Sequence, residues 1–237
     1  MELVLMTFFP LVGVLVLVFL APQQKNAMRW TAFVTALITF GISIWVLSEF
    51  NPAQSYNLSI EVPWLRLAGV PIEFYLGIDG LSILMVLLTT FLSPLTILST
   101  WKAIDEQLKG FLIFFLLLEV GMLGVFLALD LVLFYIFWEF TLIPMYFLIG
   151  IWGGKRRIYA SIKFFLFTMA GSILMLLAIL FLGIQAGSFS QPELVANRQL
   201  FAGAEMLLFI AFGLVFAIKV PIFPLHTWLP DAHVEAP

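Results

Sequence analysis

Gly110-Phe-Leu-Ile-Phe-Phe-Leu-Leu-Leu-Glu119-Val-Gly-Met-Leu-Gly-Val-Phe-Leu-Ala-Leu-Asp130-Leu-Val-Leu-Phe-Tyr-Ile-Phe-Trp-Glu139-Phe-Thr-Leu-Ile-Pro144-Met-Tyr-Phe-Leu-Ile-Gly150 is an almost unbroken apolar run. As one helix its roughly 41 residues would extend about 60 Å, at about 1.5 Å per residue. That is about twice the roughly 30 Å hydrocarbon thickness of a bilayer, so the run must fold as two helices. The break belongs at Asp130, whose carboxylate can cap the second helix at the membrane interface. Glu119 precedes that turn and Glu139 follows it, each by enough residues to lie about 14–17 Å deep, near the bilayer middle.

The rest of the chain agrees with a lipid setting. Of 237 residues, 63% are hydrophobic and 11% charged, against about 25% charged in an ordinary soluble domain. The absence of cysteine excludes disulfides, thiolate metal sites and iron–sulfur clusters on this chain. A net charge of −3 and the lack of a basic run give no sign of nucleic-acid binding. Seven spans are expected, over roughly 2–21, 30–49, 79–100, 111–129, 131–150, 158–184 and 205–225. The first has no positive leader and no small-residue cleavage site, and reads as a retained helix. Residues 50–78, with Pro52, Pro63 and Pro71, read as an extended or hairpin-like surface loop. The turns after spans one, three and five carry Lys25, Arg29, Lys102, Lys109, Lys155, Arg156 and Arg157, against Arg66 and Arg198 after spans two, four and six. That bias places the amino terminus outside the cytoplasm.

Ionisable residues within spans are the candidates for chemistry: Glu119, Glu139, Lys163 and Lys219. A charge at mid-bilayer costs about 2.5–3.5 kcal/mol on insertion scales, so such residues usually face a wet interior and mark an ion path. Each can alternatively be a structural ion pair or hydrogen-bond anchor between helices. Lys163, shortly after Arg157, can also snorkel to the interface. The seventh span ends in Lys219-Val-Pro221-Ile-Phe-Pro224-Leu-His226-Thr-Trp-Leu-Pro230-Asp231-Ala-His233. Its prolines remove backbone donors and cannot continue a regular helix. In lipid such a break survives only where it lines a protein interior or a water-filled cavity; the alternative is an ordinary kink or helix end. His226 and His233 are possible proton relays, or plain hydrogen-bonding or surface residues. Pro144 loosens the helix beside Glu139. Gly121, Gly124, Gly171 and Ser172 suit close helix–helix packing. No nucleophile–base or metal constellation points to a stand-alone enzyme.

The stretches Leu76-Gly-Ile-Asp79-Gly-Leu-Ser, Leu88-Thr-Thr-Phe-Leu-Ser-Pro94-Leu, Phe137-Trp-Glu139-Phe-Thr-Leu-Ile-Pro144-Met-Tyr, Lys163-Phe-Phe-Leu-Phe-Thr and Lys219 to His233 resemble the subunit M (chain 4) family of NADH-quinone oxidoreductase, respiratory complex I. The resemblance runs from about Leu76 onward. It implies an all-α, polytopic transmembrane bundle, an antiporter-like fold built from inverted repeats with a discontinuous helix 7, of which this chain is expected to be the N-terminal half. Residues 1–109 would then hold spans one to three with an exoplasmic loop at about 50–78. Residues 110–237 would form the first proton-translocating repeat, truncated before span eight. The resemblance matches Glu139 to the glutamate of helix 5, Lys219 to the lysine of broken helix 7, Glu119 to the helix-4 glutamate and Lys163 to the helix-6 lysine. It implies a translocase subunit that moves H⁺ while NADH, FMN, iron–sulfur clusters and quinone act on partner subunits, with no cofactor on this chain. Partners would be the other membrane-arm subunits, including two further antiporter-like chains, in a bacterial plasma membrane. The alternatives are a subunit of a multi-subunit Na⁺/H⁺ antiporter, a membrane-bound hydrogenase chain, or a purely structural anchor that would tolerate neutral replacement of Glu139 and Lys219.

Overall fold

A computed structural model describes all residues from Met1 to Pro237. The chain divides into two compact units, one of Met1–Ile60 with Leu76–Ala128, the other of Glu61–Tyr75 with Leu129–Pro237. Packing therefore separates the chain at residue 128, which leaves the fourth helix with the first three.

The first unit contains α1 (Glu2–Phe19), α2 (Lys25–Ser48), α3 (Ser82–Ser99) and α4 (Leu108–Leu127). Lipid supplies no hydrophobic drive between helices, so small residues and hydroxyls join them. A Cβ on Gly13 of α1 would lie 2.5 Å from the Thr35 hydroxyl of α2 and 2.9 Å from Leu116 of α4, so these helices meet closely there. Deeper in α2, the Ser43 hydroxyl lies 2.8 Å from the Thr90 hydroxyl of α3, both buried. Thr7, Thr39 and Thr90 also donate to the carbonyls one turn back, at 2.7, 3.0 and 2.9 Å, which leaves no hydroxyl unpaired in an apolar setting.

The loop expected over 50–78 is a two-stranded hairpin, β1 (Asn57–Leu67) and β2 (Val70–Ile78). Its turn is Ala68-Gly69 with φ of 52° and 85°. Both central residues are left-handed, as a tight hairpin turn that follows strand twist requires.

The second unit contains α5 (Leu131–Trp152), α6 (Arg157–Ala186), the short α7 (Gln191–Ala196), α8 (Glu205–Lys219) and α9 (Trp228–Glu235). Asp130 caps α5 as its position in the sequence predicts. Its carboxylate accepts from the Val132, Leu133 and Glu73 amides at 2.8, 3.0 and 3.0 Å, so one side chain ties the helix start to β2. Burial pushes the Asp130 pKa up, and the three amides offset this only in part. Gly187 ends α6 in the left-handed conformation at φ 74°, as a helix C-terminus commonly does.

Six helices are long and apolar enough to cross a membrane. The seventh expected span differs from its expected form. The helix stops at Lys219 instead of running to about 225, and at 15 residues it rises only about 22 Å. The segment Val220–Thr227 is irregular, and α9 continues to Glu235. There the Gly154 amide donates to the Glu235 carbonyl at 2.8 Å and the Arg156 amide to the Glu235 carboxylate at 2.8 Å. Since α6 runs from that same turn, α8, the irregular segment and α9 together retrace it, and form one interrupted span.

Replacing Asp130 with Ala removes a helix cap and a strand contact together, and is expected to cost about 2 kcal/mol. Asp130→Asn, which keeps an accepting oxygen, should recover much of this. Thermal unfolding of the two variants in detergent, followed by loss of helicity, measures the difference.

Candidate proton site

The interrupted span positions the site. In a regular helix the amide of residue 221 would bond the Ala217 carbonyl, but Pro221 has no N–H. The Ile222 amide takes that carbonyl instead, at 2.8 Å, and so abandons Ile218. The Ile218 carbonyl is satisfied from outside the helix by the buried indole N–H of Trp228, at 2.9 Å. Pro224 likewise has no amide for the Val220 carbonyl. No backbone amide reaches the carbonyls of Lys219 or Val220, so the break leaves two carbonyls without a backbone donor.

Lys219 is the last residue of α8. Its ammonium lies 5.2 Å from the centre of the Trp138 ring and 5.9 Å from that of Phe164, close enough for aromatic faces to stabilise the cation. Glu139, next to Trp138 on α5, lies near enough for its charge to act on Lys219, and one of its carboxylate oxygens is buried without a hydrogen-bond partner. The two are thus electrostatically linked while the carboxylate remains free to accept a proton or a new donor. Tyr135, one turn before Glu139, also feels its charge and approaches Ser172 of α6.

The other candidate residues fall in different places. Glu119 is fully buried on α4 in the first unit, and neither of its oxygens has a hydrogen-bond partner. Ser93 of α3, whose hydroxyl donates to the Thr89 carbonyl at 3.0 Å, faces it. Lys163 finds its partner within the same unit. It donates to Asp231 of α9 at 2.6 Å and lies 5.7 Å from the Tyr159 ring. His226, in the irregular segment, packs on Phe223 at 5.6 Å, and its Nδ1 is buried and unpartnered. His233 is exposed on α9 and is not brought to Lys219. Pro221 and Pro224 both fall within the break.

Sequence reasoning assigned no role to two residues that complete this arrangement, Trp228 and Asp231. A signal existed for each. A tryptophan just after a proline break offers a donor for a freed carbonyl, and an acid in the same segment offers a partner for an apparently isolated lysine.

Residues 128–237 match the family model described as NADH:quinone oxidoreductase/Mrp antiporter, TM. NADH-quinone oxidoreductase subunit M of Rhodobacter capsulatus is 44% identical over 250 residues, which cover 98% of this chain and 48% of that protein. Over these residues the chain is similar to this family of antiporter-like membrane subunits. It spans about half the length of the curated relatives it matches. A chain in respiratory complex I from Thermus thermophilus with bound NADH superimposes with a TM-score of 0.83 at 31% identity, over 100% of this chain and 47% of that one. A chain of the Mrp complex from a Dietzia species gives a TM-score of 0.79 at 20% identity, over 99% of this chain and 25% of that one. The latter likeness extends to the fold alone. The seventh span, α8 with α9, is discontinuous, as its motifs led us to expect.

The Lys163–Asp231 pair fastens α9 to α6 at 2.6 Å. Fluorescence of a variant that retains Trp228 as its one tryptophan should therefore report a looser α9 when Lys163→Met removes the donor, and an unshifted spectrum would show that the pair does not hold the helix.

Proposed function

We propose that this chain is a proton-translocating subunit in the membrane arm of an NADH-quinone oxidoreductase. Lys219 supports this reading most directly. It is a lysine at the end of a broken helix, where two carbonyls take no backbone amide, against aromatic faces and with the charge of a half-free glutamate acting on it. A buried ammonium held this way is stabilised or destabilised by small movements of its carboxylate, which is the property a proton-transfer step needs. Glu139 acts as the partner that holds the charged form of Lys219. When the pair opens, the proton of Lys219 passes towards the next buried group. Glu119 and Lys163 are the further intramembrane members of the path, with His226 and His233 as relay candidates. Residues 110–237 form the first translocating repeat in functional terms.

The redox step belongs to partner subunits, which carry flavin and iron–sulfur clusters and meet NADH and quinone. This chain supplies no cysteine for such a cluster, and its part is translocase chemistry. Its partners are other membrane-arm subunits, among them two related antiporter-like chains. The lysine and arginine bias places the N terminus on the exoplasmic face of a bacterial plasma membrane. A Na⁺/H⁺ antiporter subunit is the second reading, favoured by the shared fold of the Mrp chain.

Glu139→Gln in the assembled complex should reduce NADH-driven proton uptake in inverted vesicles by roughly tenfold or more, as removal of a proton-transfer group does. Subunit assembly on native gels should be unchanged. Full pumping in that variant would overturn the assignment. Pumping that persists with quinone reduction blocked and requires Na⁺ would favour the antiporter reading.

A further inference from the structure

Lys163 and Asp231 make a well-formed ion pair inside a region otherwise built around unpaired charge. They join α6 to α9 at 2.6 Å, and Arg156 of the α5–α6 turn reaches the same carboxylate at 3.9 Å. The far end of α9 is seated as closely. A Cβ on Gly153 would lie 2.5 Å from the Glu235 carbonyl and one on Gly154 2.7 Å from the Glu235 carboxylate. That turn therefore has room for α9 only because it lacks side chains. Between these fixings lies Trp228, on the same short helix. Its ring packs 5.4 Å from Phe164, the residue after Lys163, in a buried cluster with Leu142, Ile149, Ala160 and Ala232. Phe164 in turn faces the Lys219 ammonium, and the Trp228 indole holds the Ile218 carbonyl next to Lys219.

We infer that Asp231 is a positioning residue for proton translocation: with Lys163 it forms a latch that keeps α9 docked on α6, and through Trp228 this latch fixes the helix break that presents Lys219. The inference rests on the proposed role of Lys219 and revises that of Lys163, which acts here as a structural cation rather than a carrier in the path. With the latch closed, the Ile218 carbonyl is occupied by the Trp228 indole, and the carbonyls of Lys219 and Val220 take no backbone amide. Release of α9 withdraws the indole, frees a third carbonyl dipole beside Lys219, and loosens the Phe164 face of the pocket. Coupling is thereby altered without change to any group that itself moves a proton.

The test uses the assembled complex in sealed inverted vesicles, with protons translocated per NADH oxidised measured beside amide hydrogen exchange in α9. Asp231→Asn should lower that ratio by roughly two- to tenfold, the range in which residues remote from a coupled site modulate it. It should also speed exchange at the Ala236 amide, which bonds Ala232 within α9, while NADH oxidation in uncoupled vesicles stays at the parental rate. The exchanged pair Lys163→Asp with Asp231→Lys should restore both the ratio and the slow exchange. Asp231→Asn with both readouts unchanged would overturn the latch. So would an exchanged pair that recovers slow exchange but not pumping, since Lys163 would then act chemically in its own right. Glu139→Gln run in parallel separates the two levels: full pumping there defeats the functional reading, whereas lost pumping there with an unaffected Asp231→Asn defeats the latch alone.

Discussion

The constraint on which the rest depends is that hydrocarbon offers no water to an unpaired backbone group. Regular helices meet it internally, and six of them do so here. The interrupted span cannot, because Pro221 and Pro224 bring no amide to a stretch whose carbonyls still need one. The chain resolves this unevenly. Ile222 reaches back to Ala217, Trp228 takes Ile218, and the carbonyls of Lys219 and Val220 keep their dipoles free of backbone donors. Those two carbonyls belong to the lysine itself and to the residue after it, so the break in backbone pairing falls at the residue whose ammonium meets the Trp138 and Phe164 faces.

The consequence passes outward along the chain. An indole can hold the Ile218 carbonyl only if α9 is fixed, and α9 is a helix of eight residues, too short to be stable by itself. Its position comes from its ends. Asp231 is tied to Lys163, Glu235 to the amides of Gly154 and Arg156, and two consecutive glycines leave room for the approach. The local geometry around Lys219 is thus set by contacts a full helix away, which gives the segment two ends from which it can be moved.

Much of this was legible in the sequence, for stated reasons. The length of the 110–150 run forced a break, and a single acid in it, Asp130, was the place where a cap could sit; three amides now bond to it. The place of Glu139 well inside α5 followed from counting residues, and the proline cluster announced the interruption after Lys219. The segment over 50–78 could be read as extended or hairpin-like but not assigned a register, because that depends on a left-handed Ala68 that no propensity favours. The end of the seventh span was misplaced because hydropathy continues through Ile222, Phe223 and Leu225 although the helix does not. Asp231 and Trp228 could not be assigned at all. Their partners lie 68 and 10 residues away, and only folding of the interrupted span brings them together.

The charged side chains of the helices and their turns fall into two kinds. Lys163 and Asp231 satisfy one another at short range, and Lys25 and Arg29 do the same with Asp105, none of them fully buried. Glu119 and Glu139 keep unpartnered oxygens, and Lys219 has aromatic faces in place of a carboxylate within bonding distance. A sequence shaped for stability alone would pair the second kind as it pairs the first, since a nearby donor costs little and an unpaired polar atom in hydrocarbon costs several kcal/mol by typical estimates, about 2–7. The ability to form close pairs is plainly present. That the chain leaves Glu119, Glu139 and Lys219 incompletely satisfied, while it closes the pair that holds α9, is the contrast on which the proposed division between proton-carrying and structural charges rests.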